Sequence, residues 1–131
     1  MTVVVEEPVV RERRPNEVVV VDDDVEVADA LETVFGTQGY RTAVFTRGRE
    51  ALVYVRDQVW PGLVLLDARI PDVDVNAFLE ELGKIPPKRI PALLMSVETH
   101  FHESPAMRGQ TVLRKPFDLN GLLNVVSSMI C

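Results

Sequence analysis

The chain has 131 residues, 47% of them hydrophobic and 26% charged, with a net charge of −6. That is the size and make-up of one domain with its own core, and its acidic balance excludes a general nucleic-acid binder, which needs a basic face, and gives no footing on an anionic membrane. One cysteine, Cys131, excludes an internal disulfide, no apolar run approaches the ~20 residues of a membrane span, and Glu6, Glu7 and Pro8 break up the amino-terminal valines where a secretory leader would be apolar, so a cytoplasmic location is the default expectation.

Residues 1–16 read as a tail, disordered or loosely docked, because Pro8, Pro15 and the run Arg11-Glu12-Arg13-Arg14 oppose a core strand. The domain is expected over 17–131. Val18 to Val21 is a wholly apolar run ending in Asp22-Asp23-Asp24, the pattern of a strand buried on both faces. Ala28, Leu31 and Phe35 follow at helical spacing, closed by Gly36 and Gly39. Thr42 to Phe45 is a second strand. Thr46 is positioned to cap a helix whose inner face is Ala51, Leu52 and Val55. Pro61-Gly62 reads as a turn before a third strand, Leu63 to Leu66, which ends at Asp67. Ala77, Phe78 and Leu82 mark a helix that closes near Gly83, and Pro86-Pro87 breaks the chain. Ala92 to Met95 is a fourth strand, ending at Ser96. Residues 98–110 are weakly patterned, with Pro105 against a helix. Thr111 to Leu113 is a short fifth strand before Lys115-Pro116, where a cis peptide is allowed. Leu119, Leu122, Leu123, Val126 and Ile130 complete an amphipathic helix. Strands alternating with helices give a doubly wound α/β domain with a parallel five-stranded sheet, and no internal repeat or second domain is evident.

Parallel α/β sheets carry their sites at the carboxyl ends of the strands. Four of the five strands end here at a group able to do chemistry: Asp22 and Asp23, Asp67, Ser96, and Lys115. In the flavodoxin-like order 2-1-3-4-5 the first and third strands are neighbours about 4.8 Å apart, so the three aspartates crowd together. Crowded carboxylates repel. A hard divalent cation such as Mg2+ relieves them, because it takes oxygen ligands, one or two carboxylates and a phosphate oxygen. Asp67 then serves as ligand and nucleophile, with Lys115 offsetting the charge of a phosphoryl group and Ser96 donating a hydrogen bond to it. Each piece alone has a plainer reading: an acidic run after a strand is usually a loop or a helix cap, and Lys115-Pro116 a surface turn. Their joint placement at strand ends carries the argument.

From Val18 to Ile130 the chain resembles the receiver domain of bacterial response regulators. The resemblance rests on Val18-Val19-Val20-Val21-Asp22-Asp23-Asp24, on Leu63-Val64-Leu65-Leu66-Asp67-Ala68-Arg69-Ile70-Pro71, and on Val112-Leu113-Arg114-Lys115-Pro116-Phe117. It implies that Asp67 is the phosphoacceptor, that Asp22 and Asp23 hold magnesium, and that the Arg69 carbonyl is a further ligand. It also implies that Ser96 is the switch hydroxyl and that Lys115 contacts the phosphoryl group. The implied donor is a histidine kinase or phosphotransfer protein. A downstream protein and a second copy of the chain are the other implied partners, and nucleic acid and membrane are not among them. Such a module is a signalling acceptor rather than an enzyme in its own right. His100 and His102 are expected in a solvated loop.

Four departures from the family pattern, three single positions and one stretch of chain, all lie on the output side. Val75 stands where glycine is usual, Val97 where a small residue is usual, and Val112 where a switch aromatic is usual. The stretch from Ser96 to Lys115 is short and contains Pro105, so the helix between the fourth and fifth strands is expected to be short, displaced or missing. These departures favour a rival reading, a phosphorylation-independent pseudo-receiver that acts as a protein-interaction module. A flanking pair, Arg69 with Glu98, is a further expectation at the mouth of the site. A haloacid-dehalogenase-like phosphatase is disfavoured, because the position two beyond Asp67 is Arg69, which cannot act as a general acid at neutral pH.

Overall fold

A computed structural model describes residues 11–87, 89–97 and 110–130. Its elements run β1 (Glu12–Val21), α1 (Val25–Thr37), β2 (Arg41–Phe45), α2 (Gly48–Asp57), β3 (Val59–Asp67), α3 (Val75–Lys84), β4 (Ala92–Ser96), β5 (Thr111–Arg114) and α4 (Leu119–Met129). The five strands form one parallel sheet in the order β2-β1-β3-β4-β5, the flavodoxin-like topology. The helix slot between β4 and β5 and residues Glu98, His100, His102 and Pro105 lie outside the described residues.

Period-two alternation divides the apolar strands between two cores. Val19, Val21, Val64, Leu66 and Leu94 point to α2 and α3, where Ala51, Val55, Phe78 and Leu82 meet them. Val18, Val20, Leu63, Leu65, Leu93 and Met95 point to the other face, against Leu31 and Phe35 of α1 and Leu122 and Val126 of α4. Both faces of the central strands are therefore covered, which is why their sequences are unbroken apolar runs.

Aspartates start three of the four described helices: Asp24 caps α1 and Asp74 caps α3, each accepting from two backbone N–H groups of the first turn, and Asp118 caps α4, accepting from Gly121 N. The fourth start differs from expectation. α2 begins at Gly48 after Arg47, which makes no side-chain cap, so Thr46 is not its cap. Asp72 does the work instead, accepting from Gly48 N at 2.8 Å and Arg49 N at 3.0 Å. Val75 is the first residue of α3 and is buried; a helical backbone there asks nothing of valine that only glycine allows. Gly39, at φ 83°, closes the turn after α1.

Two other expectations are corrected at the amino-terminal edge of the sheet. β1 begins at Glu12, and Glu12, Arg13 and Arg14 pair with Val59, Trp60 and Pro61 of β3 before a bulge that spans Pro15 to Glu17. Pro61-Gly62 lies inside β3 rather than in a turn. Gly62 is required by this packing, since a Cβ there would lie 2.1 Å from the Pro15 carbonyl oxygen. Charge holds the added strand segment in place. Arg14 bonds Glu12 and Glu17, and the Tyr54 hydroxyl donates to the buried Glu17 at 2.6 Å.

Candidate functional site

Asp22 extends β1, its N–H donating to the Phe45 carbonyl at 3.0 Å, and its side chain is fully buried. Its Oδ1 accepts from Asp24 N at 2.9 Å, which fixes the carboxylate while Asp24 caps α1. The acidic run therefore contains both a helix cap and part of a carboxylate cluster. Asp67 ends β3, and its Oδ1 accepts from Arg69 N at 2.9 Å. The register places Asp67 beside Met95 and Ser96 beside Arg114, and the Lys115 N–H donates to the Ser96 carbonyl at 2.8 Å. Lys115 thereby leaves the sheet directly beside Ser96, and the following peptide to Pro116 is cis.

The result is an open cleft of about 440 Å³ lined by Asp23, Asp24, Asp67, Arg69, Ser96, Val97 and Lys115. Asp22, Asp23 and Asp67 each offer a carboxylate oxygen within 4.8 Å of the others. Lys115 Nζ reaches Asp67 Oδ2 at 3.0 Å and Asp22 Oδ2 at 3.4 Å. Ser96 is buried at the floor. Arg69 contributes its N–H to Asp67 and its side chain to the rim.

The electrostatics follow from this crowding. Burial pushes the Asp22 carboxyl above the ordinary range and the charge of Asp67 adds to it, while the Asp24 N–H and Lys115 pull the other way. Burial acts downward on the Lys115 ammonium. The hydrogen bond to Asp67 and the charges of Asp22 and Asp67 outweigh it, so the amine is pushed above its usual value and stays protonated. One ammonium thus bonds two of three clustered carboxylates, whose donor atoms are all hard oxygens. Such a set of hard oxygen donors fits a divalent cation of the magnesium type, and among the described residues no sulfur or imidazole joins it.

Beside the cleft, Val27, Ala30, Leu31, Val97, Phe117 and Leu119 line an apolar groove of about 450 Å³ between α1 and the start of α4. Val97, 53% exposed, belongs to both. Val112 is partly buried against the core on the α2 and α3 side. Two residues that pattern reading missed fasten the surrounding structure: Asp72, which ties the loop after β3 to α2, and Glu17, which accepts from Tyr54 of α2 at the amino-terminal edge of the sheet. An unpaired-looking aspartate a few residues past a strand end, and a glutamate directly before an apolar run, were the available signals.

The model of the response regulator receiver domain matches residues 18–127. The transcriptional regulatory protein ZraR of Escherichia coli K12 is 37% identical over 110 residues, covering 81% of this chain and 24% of that protein. The chain thus spans about a quarter of that regulator's length. Sporulation initiation phosphotransferase F of Bacillus subtilis is 29% identical over 116 residues, covering 86% of this chain and 92% of that protein. Among solved structures, the beryllofluoride-activated NtrC4 receiver domain dimer superposes with a TM-score of 0.73 at 22% identity, covering 88% of this chain and 96% of that one. Receiver domains bind Mg2+ at an acidic pocket and interact with histidine kinases or phosphotransfer proteins, and no described helix here is long and apolar enough to cross a membrane. With the sheet order, the acidic edge and the matched segment in agreement, the chain belongs to the response regulator receiver domains, the signalling modules of two-component systems.

Proposed function

We infer that this domain accepts a phosphoryl group on Asp67 from a phosphohistidine donor and that Mg2+ is required. The observation that carries this reading is the Lys115 ammonium 3.0 Å from Asp67 Oδ2 within a set of three carboxylates. An Asp67 oxygen attacks phosphorus, the bond from phosphorus to the donor imidazole nitrogen breaks, and the electron pair returns to that nitrogen. Lys115 moves its charge from carboxylate to phosphoryl oxygen as the bond forms, and the Ser96 hydroxyl donates to another phosphoryl oxygen. Asp22, Asp23, Asp67 and the Arg69 carbonyl are the residues that would hold magnesium. The bound ion supplies positive charge against the phosphoryl oxygens and relieves the repulsion among the aspartates.

The donor is a histidine kinase or phosphotransfer protein, and its apolar surface rests in the groove beside the cleft, where Val97 and Leu119 are exposed. The output face is atypical. Val112 has no ring to swing inward and Val97 crowds the mouth, so signal passes to the downstream protein by another motion or surface, with a second copy of the chain as one candidate. The valines also favour a second reading, a pseudo-receiver that binds partners without phosphorylation. Intact-protein mass after incubation with acetyl phosphate and Mg2+, beside Asp67→Asn, decides between them. A single phosphoryl adduct that is lost in the variant and without Mg2+ supports the acceptor reading. If folded protein gains no adduct from acetyl phosphate or from a phosphorylated kinase, the binding module stands.

A further inference from the structure

A second cleft lies at the opposite edge of the sheet, where the amino-terminal part of β1 joins β3. It measures about 500 Å³, and Arg13, Trp60, Gly62, Arg89, Pro91 and Met129 are among its walls. Trp60 and Asp67 occupy the two ends of the same strand, about 23 Å apart at 3.3 Å per residue, so this cleft is separate from the acidic site.

Its chemistry is opposite to that of the chain as a whole. In a protein of net charge −6, two arginines converge on one cleft, and among the described residues neither Arg13 nor Arg89 is paired with a carboxylate. The neighbouring arginine shows the contrast, since Arg14 is paired with both Glu12 and Glu17. Arg13 rests over the Trp60 ring at 4.8 Å, which holds its charge at the wall and reduces the rotamer freedom lost on binding. The rest of the lining is the flat or polarisable surface of the indole, prolines and Met129. Guanidinium groups match phosphate and carboxylate through paired N–H donors and stack on rings. The volume lies in the usual range for small-molecule sites.

We propose that this cleft binds a small aromatic anion, an aromatic or heteroaromatic ring carrying a phosphate or carboxylate directly or through a short linker such as a sugar. The ring packs on the indole, proline and methionine surface, and the anionic group lies between Arg13 and Arg89. Such a ligand bridges β1, β3, the segment before β4 and the end of α4, so it stabilises the fold on binding.

Trp60 is the chain's one tryptophan, so its emission reports the cleft directly. The probe is adenosine 5′-monophosphate, titrated with chelator present so that no divalent cation recruits it to the aspartates, with adenosine and inorganic phosphate in parallel. Saturable change in Trp60 emission is expected with the nucleotide, competition with phosphate, and a rise in melting temperature. Arg89→Ala and Arg13→Ala each weaken binding about tenfold, the usual scale for a lost charge-assisted hydrogen bond, Arg89→Lys by less, and Asp67→Asn leaves it unchanged. Circular dichroism establishes that the variants fold. Adenosine binding as tightly as its phosphate, affinity indifferent to both arginine variants, or no saturable change overturns the proposal.

Discussion

Asp72 and Gly48, 24 residues apart in the chain, are joined by a 2.8 Å hydrogen bond from the Gly48 N–H to the Asp72 carboxylate. Through it the loop that leaves the acidic edge after β3 is fastened to the start of α2. Burial acts upward on the Asp72 carboxyl, but the N–H groups of Arg49 and Gly48 outweigh it and hold the group below its ordinary 3.8. Its folded value is depressed, so its contribution is complete above the unfolded value and is lost as pH falls through the folded one. Asp72→Ala is expected to cost about 1 kcal/mol near neutrality, and urea denaturation of the two proteins should converge below pH 3.8. A difference that persists unchanged in acid would remove this account.

Asp22 is the clearest case of a residue whose charge opposes the metal-free fold, because burial and Asp67 push its carboxyl upward. A raised carboxyl favours the fold fully below its unfolded value and loses that advantage as pH rises through the folded one. In metal-free buffer at neutral pH, Asp22→Asn should therefore melt a few degrees higher than the native chain. With Mg2+ the order should reverse, since native protein gains from the ion by mass action and the variant gains less. Melting curves with and without chelator test both halves.

Tyr54 donates at 2.6 Å to Glu17, whose side chain is only 3% exposed. Removing the donor leaves a buried acceptor short of a partner, so Tyr54→Phe is expected to cost about 1–3 kcal/mol. Burial first, and then Glu17, pushes the phenol up to about 12. The stability tied to Tyr54 is complete below its unfolded value near 10 and disappears as pH rises through about 12. Absorbance titration of the phenolate should show one tyrosine ionising only at about 12.

Gly62→Ala would bring a methyl group 2.1 Å from the Pro15 carbonyl oxygen. Backbone must shift, at a cost of about 1–3 kcal/mol, and the shift falls on the segment Glu12 to Arg14. A red shift of Trp60 emission at temperatures where the far-ultraviolet spectrum is still native would show that this segment lifts before the core yields. Cooperative loss of both signals together would show that the segment is integral to the sheet.

The sequence made the five strands readable because runs such as Val18–Val21 and Leu63–Leu66 are apolar on both faces, a local property. It also placed Asp22, Asp23, Asp67, Ser96 and Lys115 at strand ends, and all five meet at one edge. What escaped reading depends on distant partners. Glu12 to Arg14 look like tail because the groups that answer their charges do not show in the local pattern: Arg14 pairs with Glu12 and Glu17, and Arg13 rests over Trp60. Pro61-Gly62 has the local chemistry of a turn, yet Gly62 is needed for a carbonyl that approaches from β1. Thr46 satisfies the local rule for a cap, and Asp72 supplies the cap from another loop.

The grip of Asp22 and Asp67 on Lys115 also governs what reagents can do to it. An amine whose pKa is pushed up offers its lone pair less often, so Lys115 is a poor target for acyl transfer even beside an acyl phosphate bound in the cleft. Lys84, with 73% of its side chain in solvent, is the better one. Acetyl phosphate therefore sorts its two products by place: acetyl groups collect on outlying lysine, while the pocket amine is spared.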